Sequence, residues 1–134
     1  MRITVDAKGS LPPSEQIAEQ IRFAIAAGEL IAGARLPSVR GLAQSAVVNP
    51  NTVAKAYREL EREGTVETRP GDGVFVARGA PRRCDELRTR LIEERLRHAI
   101  AEAERAGLPA HRIEGIVARA LAHAAAQTPE EART

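Results

Sequence analysis

The sequence predicts a mainly α-helical chain with one small β-hairpin, and three observations predict it. Apolar residues make up 43% of the 134 residues and aromatics only 2%, which leaves a core of Ile, Leu, Val and Ala and favours helix over sheet. Apolar positions recur at helical spacing in five separate stretches. Two short alternating runs, 66–69 and 74–77, flank Pro70-Gly71-Asp72-Gly73, which has the turn chemistry of a hairpin.

The elements follow in order. Arg2-Ile3-Thr4-Val5 alternates as a short strand does, and Lys8-Gly9-Ser10 with Pro12-Pro13 stops it. Ser14 then precedes Glu15 and an apolar face of Ile17, Ile21, Ala24 and Ile25, and Gly28 ends this first helix. A second, shorter helix begins after Leu36-Pro37, with Ser38 placed to cap it and Val39, Leu42 and Ala43 inward. It ends near Ala46. In the third helix Asn49 caps, and Pro50 takes the first helical position, where its missing N–H costs nothing. The inward face is Val53, Ala56, Tyr57 and Leu60, and Gly64 closes the helix before the hairpin.

Gly79-Ala80-Pro81 marks a boundary, giving a first domain over residues 1–79 and a two-helix region over 80–134. Leu87, Leu91, Leu96, Ile100 and Ala103 lie on one side of a long helix spanning about 82–106, and Gly107-Leu108-Pro109 breaks it. Ile113, Ile116, Val117, Ala120, Leu121 and Ala124 form the apolar side of a last helix, and residues 127–134 read as a frayed tail. The short connection favours an antiparallel pair. Two helices alone leave a wide apolar face, so the stripe of Leu87, Leu91, Leu96, Ile100, Ile113, Ile116, Val117 and Leu121 is expected to form a homodimer interface.

Three helices followed by a hairpin, with a turn of a few residues between the second and third, make a winged helix-turn-helix. Asn51, Lys55, Arg58 and Arg62 fall on one face of the third helix, opposite its apolar residues, and such a stripe fits a major groove of double-stranded DNA. The Asn51 amide can pair with an adenine edge, Thr52 can donate or accept, and Lys55 or Arg58 can reach guanine or phosphate. Asn49 and Pro50 make the start of that helix rigid, which spares ordering entropy on binding, and its N-terminal dipole favours a phosphate. Ser38 and Arg40, at the start of the second helix, are placed for the DNA backbone, and Arg69 with Gly71 and Gly73 of the wing for phosphate or the minor groove.

Read together, LPSVR, TVAKAY and GDGVFV, in that order and spacing within residues 12–77, resemble the DNA-binding domain of the GntR family of bacterial transcription regulators. The short two-helix tail resembles the YtrA-like subfamily. That resemblance implies a dimer without a large effector domain, acting as a repressor and often on transporter genes. It also implies that Arg40 is the DNA-contacting arginine of the first motif, Thr52 the recognition-helix threonine, and Gly71 and Gly73 the wing glycines. Asn49-Pro50 stands where many members carry Ser-Arg, so base choice there does not transfer from the wider family. Ala32 replaces a usual proline, and Pro13-Ser14 a usual Leu-Tyr.

Net charge is only +2 at a pI near 9.2, so affinity for DNA must come from where the charges sit. A single cysteine, Cys84, forbids an internal disulfide and fits the reducing cytoplasm, and no apolar run approaches membrane-spanning length. Cys84, His98, His111 and His123 match no compact ligand spacing, so no metal is expected. No nucleophile elbow, phosphate loop or paired carboxylate points to an enzyme or a cofactor. Too few residues follow the wing to enclose an effector pocket within one chain. A winged-helix adaptor that docks a protein, or a DNA-binding architectural protein without sequence preference, fits the same elements.

Overall fold

The computed structural model describes residues 1–127 and divides the chain into two compact units, Met1–Arg90 and the residues from Leu91 onward. Three helices, α1 (Pro13–Ala26), α2 (Val39–Ala46) and α3 (Pro50–Arg62), precede an antiparallel hairpin of β1 (Val66–Arg69) and β2 (Gly73–Val76). The helix α4 (Ala80–Arg105) and the helix α5 (Ala110–Gln127) complete the described chain. This is the winged helix-turn-helix expected from the sequence.

The core of the first unit grows from the predicted periodicities. Ile17, Ile21 and Ile25 of α1, Leu42 and Ala43 of α2, and Val53, Ala56, Tyr57 and Leu60 of α3 are all buried, and α3 packs against both α1 and α2. Val66 and Val76, paired across the hairpin, close the core from the wing side. Burying aliphatic chains of this size stabilises the unit by roughly 1.5–3 kcal/mol each relative to exposure.

Four local readings change in the structure. The segment 2–5 is extended, but it is no strand, because no strand lies beside it: glutamines of α1 take that role. Gln20 accepts from the Thr4 N–H (3.0 Å) and donates to the Thr4 carbonyl (2.7 Å), and Gln16 does the same for Asp6 (2.8 and 2.7 Å). The alternation still places Ile3 in the core. Helix α1 starts at Pro13 with no side-chain cap, and Ser14 lies buried within its first turn. The wing carries an additional rung from 33–36: Leu36 N–H donates to the Val74 carbonyl and Val76 N–H to the Ala34 carbonyl, both at 2.8 Å, so Arg35 bridges Phe75. Pro37 and the brevity of that segment hid it from pattern reading.

The last change concerns the two-helix region. Ala80 and Cys84, in the first turns of α4, are fully buried in the first unit's core, so that unit runs past the Gly79–Pro81 break to Arg90. Further on, α4 and α5 do not pack side by side as an antiparallel pair, and no residue of α5 among those described is buried. Gly107, with φ of +89°, turns the chain between them. Gln127 is still helical, and residues 128–134 of the expected tail lie outside the described residues.

The turn between α2 and α3 holds a strained residue. Val47 has φ 54° and ψ 56°, a left-handed conformation that crowds a β-branched side chain, and 88% of that side chain's residue surface is exposed. Strain of this kind costs on the order of 1–3 kcal/mol, and the exposed methyls return little packing. Val47→Gly is expected to raise stability by about 1 kcal/mol after glycine's own entropic cost. Urea unfolding checks it; a stability equal to or below that of the parent would show that the turn is relaxed around valine.

Candidate nucleic-acid interface

Caps set the two helix starts that face away from the core. The Ser38 hydroxyl oxygen accepts from the Gly41 N–H at 3.0 Å, which fixes the first turn of α2 and leaves the hydroxyl proton free to point outward. The Asn49 side-chain Oδ1 accepts from the Asn51 N–H at 2.8 Å, leaving the Asn49 side-chain NH₂ group for solvent or a ligand. Pro50 follows in the first turn, as its fixed φ suits.

From this start α3 presents a consistent polar face. Asn51, Lys55 and Arg58 are exposed and Thr52 is half-buried, while Val53, Ala56, Tyr57 and Leu60 fill the opposite side. Arg62, at the end of the same stripe, is drawn to Glu59 at 3.3 Å. Arg40, Lys55, Arg58 and Arg69 have no carboxylate within ion-pair reach among the described residues. Unneutralised cations around a helix start, with the positive end of its dipole, produce a local positive field despite the small net charge.

Two long-range contacts that no sequence pattern revealed hold this face in place. The Tyr57 hydroxyl donates to the Pro37 carbonyl at 2.7 Å, tying α3 to the loop ahead of α2. Burial pushes the Tyr57 phenol up to about 12, so it keeps its proton and remains a donor at neutral pH. Arg22 of α1 meets both carboxylate oxygens of Glu63 through its Nε, at 3.1 Å each, and pins the far end of α3. Both side chains are mostly buried, so this fork is screened less than the exposed pairs along α4.

The wing tip turns through Pro70 and Gly71, with Asp72 N–H donating to the Arg69 carbonyl at 2.9 Å and Gly71 at φ +81°. Proline followed by a positive-φ glycine is the signature of a type II turn. The Arg69 guanidinium lies 4.1 Å from the centroid of the Phe75 ring, a cation–π contact that aims it along the hairpin. Arg35, which the sequence did not single out, lies over Gly73 from the other side.

The predicted interface stripe is largely open to solvent. Leu96 and Leu121 are 57% and 67% exposed, Ile100, Ile116 and Val117 are exposed as well, and Ile92, missed in the sequence, joins them. Leu87, Leu91 and Ile113 are half-buried. Cys84 is buried in the first unit, and that burial pushes its thiol above the ordinary value, against the pull of Arg83. His98 sits 3.8 Å from Glu94 one helical turn away, and His123 lies 3.0 Å from Gln127.

Comparison with known proteins places this geometry in context. Residues 13–76 match the family described as bacterial regulatory proteins, gntR family. The chain is similar to the HTH-type transcriptional repressor YtrA of Bacillus subtilis (strain 168), with 40% identity over 111 residues, covering 83% of this chain and 85% of that protein. Among solved structures it is similar to a GntR family transcriptional regulator from Listeria monocytogenes, at a TM-score of 0.72 and 31% identity over 84% of this chain and 97% of that one. It is also similar to the DNA-binding domain of AraR solved in complex with operator ORX1, at a TM-score of 0.52 and 28% identity over 57% of this chain and 99% of that one.

Proposed function

Because the chain belongs to the GntR family and is a DNA-binding transcriptional regulator, we propose that it acts in the cytoplasm as a homodimeric repressor of a palindromic operator. One observation carries this reading: the capped start of α3 exposes Asn51, Lys55 and Arg58, with cations on α2 and the wing that have no carboxylate partner among the described residues, while its other face is locked into the core. A rigid helix of that kind enters a major groove as a unit. Asn51 reads a base edge, Thr52 and Lys55 contact base or backbone, and Ser38, Arg40 and Arg69 set the register on phosphates. The solved AraR complexes with operator DNA support the same use of a similar fold.

The open apolar faces of α4 and α5 support dimerisation: side chains such as Leu96, Ile100, Ile116 and Leu121 find no cover within the described chain, and a second protomer supplies it. Residues 1–90 then form the DNA-binding unit, with the first turns of α4 in its core at Ala80 and Cys84, and the region from Leu91 onward the dimerisation region. A dimer bound across a promoter excludes other proteins from it, which is repression in its simplest form, and the similar protein YtrA is named a repressor.

The test is base readout. After an operator has been selected from a pool of random duplexes, Asn51→Ala is expected to weaken specific binding by about 1–3 kcal/mol, to relax preference at one position per half-site, and to leave non-specific binding unchanged. Equal losses on operator and scrambled DNA would point to an architectural binder and refute the base-reading role.

A further inference from the structure

The strand β2 has neighbours on both sides, and arginines from both converge on it. Arg35 is paired with Phe75 through the backbone rung of 33–36, so its side chain leaves the sheet on the same face as Phe75. Arg69, on β1, is paired with Gly73, two residues before Phe75 and therefore on that face too. The two guanidiniums cross toward each other's partners. Arg69 stacks on Phe75 at 4.1 Å, and Arg35 leans over Gly73, where a Cβ would stand 2.8 Å from its Nε and 3.3 Å from its Nη2.

Gly73 is thus a glycine for two reasons. Its φ of +124° suits no other residue, and the space above it is filled by Arg35. Both arginines are exposed, and neither has a carboxylate partner among the described residues, although Glu67 shares the face and Asp72 stands at the turn. Two like charges on one face repel, and an anion that accepts from both relieves the repulsion. The planar fork of a guanidinium matches a phosphate.

We propose that Arg35 is a second phosphate-binding residue of the wing, that it grips the DNA backbone together with Arg69, and that Gly73 keeps it there. This rests on the reading of the wing as a DNA contact. The full-length chain is titrated against its selected operator and a scrambled duplex over a range of salt. R35A is expected to lose on the order of tenfold affinity on both duplexes, with the slope of log K against log salt flattened by about 0.9. R35K is expected to keep the slope. G73A is expected to lower affinity on both duplexes as well, because it displaces that side chain, with the strain of alanine at φ +124° adding to the loss.

An R35A chain whose salt slope is unchanged while its thermal midpoint falls would overturn the proposal and make Arg35 a packing residue. A G73A chain whose affinity for both duplexes is unchanged would overturn the role of Gly73. Wild-type binding is measured in parallel: a wild-type chain that binds neither duplex overturns the DNA reading as well, whereas normal wild-type binding with an unaltered R35A slope overturns only the assignment of Arg35.

Discussion

A chain ending at Arg90 is expected to fold, to sediment as a monomer and to lose its preference for a two-half-site operator by a factor of about 10³ or more. Folding is expected because the cut leaves the first compact unit whole, with Ala80 and Cys84 still in its core. A cut at Gly79 removes both, and would confuse loss of the dimer with loss of the fold. Without the rest of α4 and without α5, each recognition helix binds one half-site alone. In the dimer, two helices set ~34 Å apart meet successive major grooves on one face of the duplex, and two weak interactions act within one complex.

A full-length chain carrying Leu96→Glu and Leu121→Glu is expected to behave as the truncated one does, because a charge buried at an apolar interface without a partner is strongly unfavourable. Both positions are exposed within the protomer, so its own fold is expected to tolerate the changes. Sedimentation followed by titration with full and half sites decides the matter. If the truncated or doubly substituted chain remained dimeric at micromolar concentration, the interface would lie elsewhere.

Leu60→Ala is expected to cost 2–5 kcal/mol of stability in the first unit, by roughly the amount seen when large aliphatic chains are removed from tight cores. Leu60 is fully buried on the inner face of α3, and its carbonyl accepts from the Thr65 N–H at 2.8 Å where the chain leaves the helix for β1. The cavity therefore opens between the recognition helix and the wing. Domains of this size are stable by only about 5–15 kcal/mol, so such a loss also lowers the fraction competent to bind DNA at physiological temperature. Urea unfolding measures it. A cost below 1 kcal/mol would show that neighbouring side chains collapse into the space and that the α3 core is looser than it looks.

Much of the reading end was legible because its causes are local. Ser38 and Asn49 cap as expected, since a short polar side chain before a helix meets N–H groups only two or three residues on. Val53, Ala56, Tyr57 and Leu60 turn inward because their spacing matches the helical repeat, and the same spacing sets Asn51, Lys55 and Arg58 outward. The hairpin needed only Pro70, Gly71 and Gly73. Arg2 to Val5 misled for a related reason: alternation reports which side chains face inward, and it does not report whether a strand or a pair of glutamines meets the backbone.

The sequence by itself therefore determined the helices, the wing, the polar stripe of α3 and the family to which the chain belongs, all of which depend on neighbours a few residues apart. The tertiary structure alone decided that Tyr57 is tied to Pro37, that Arg22 is clamped on Glu63, that Arg35 crosses the wing at Gly73, and that α4 begins inside the first unit's core while α5 stays open. Those contacts join residues tens of positions apart. No periodicity encodes them, because they exist only once the burial of one set of apolar faces has brought the remaining side chains within hydrogen-bonding distance.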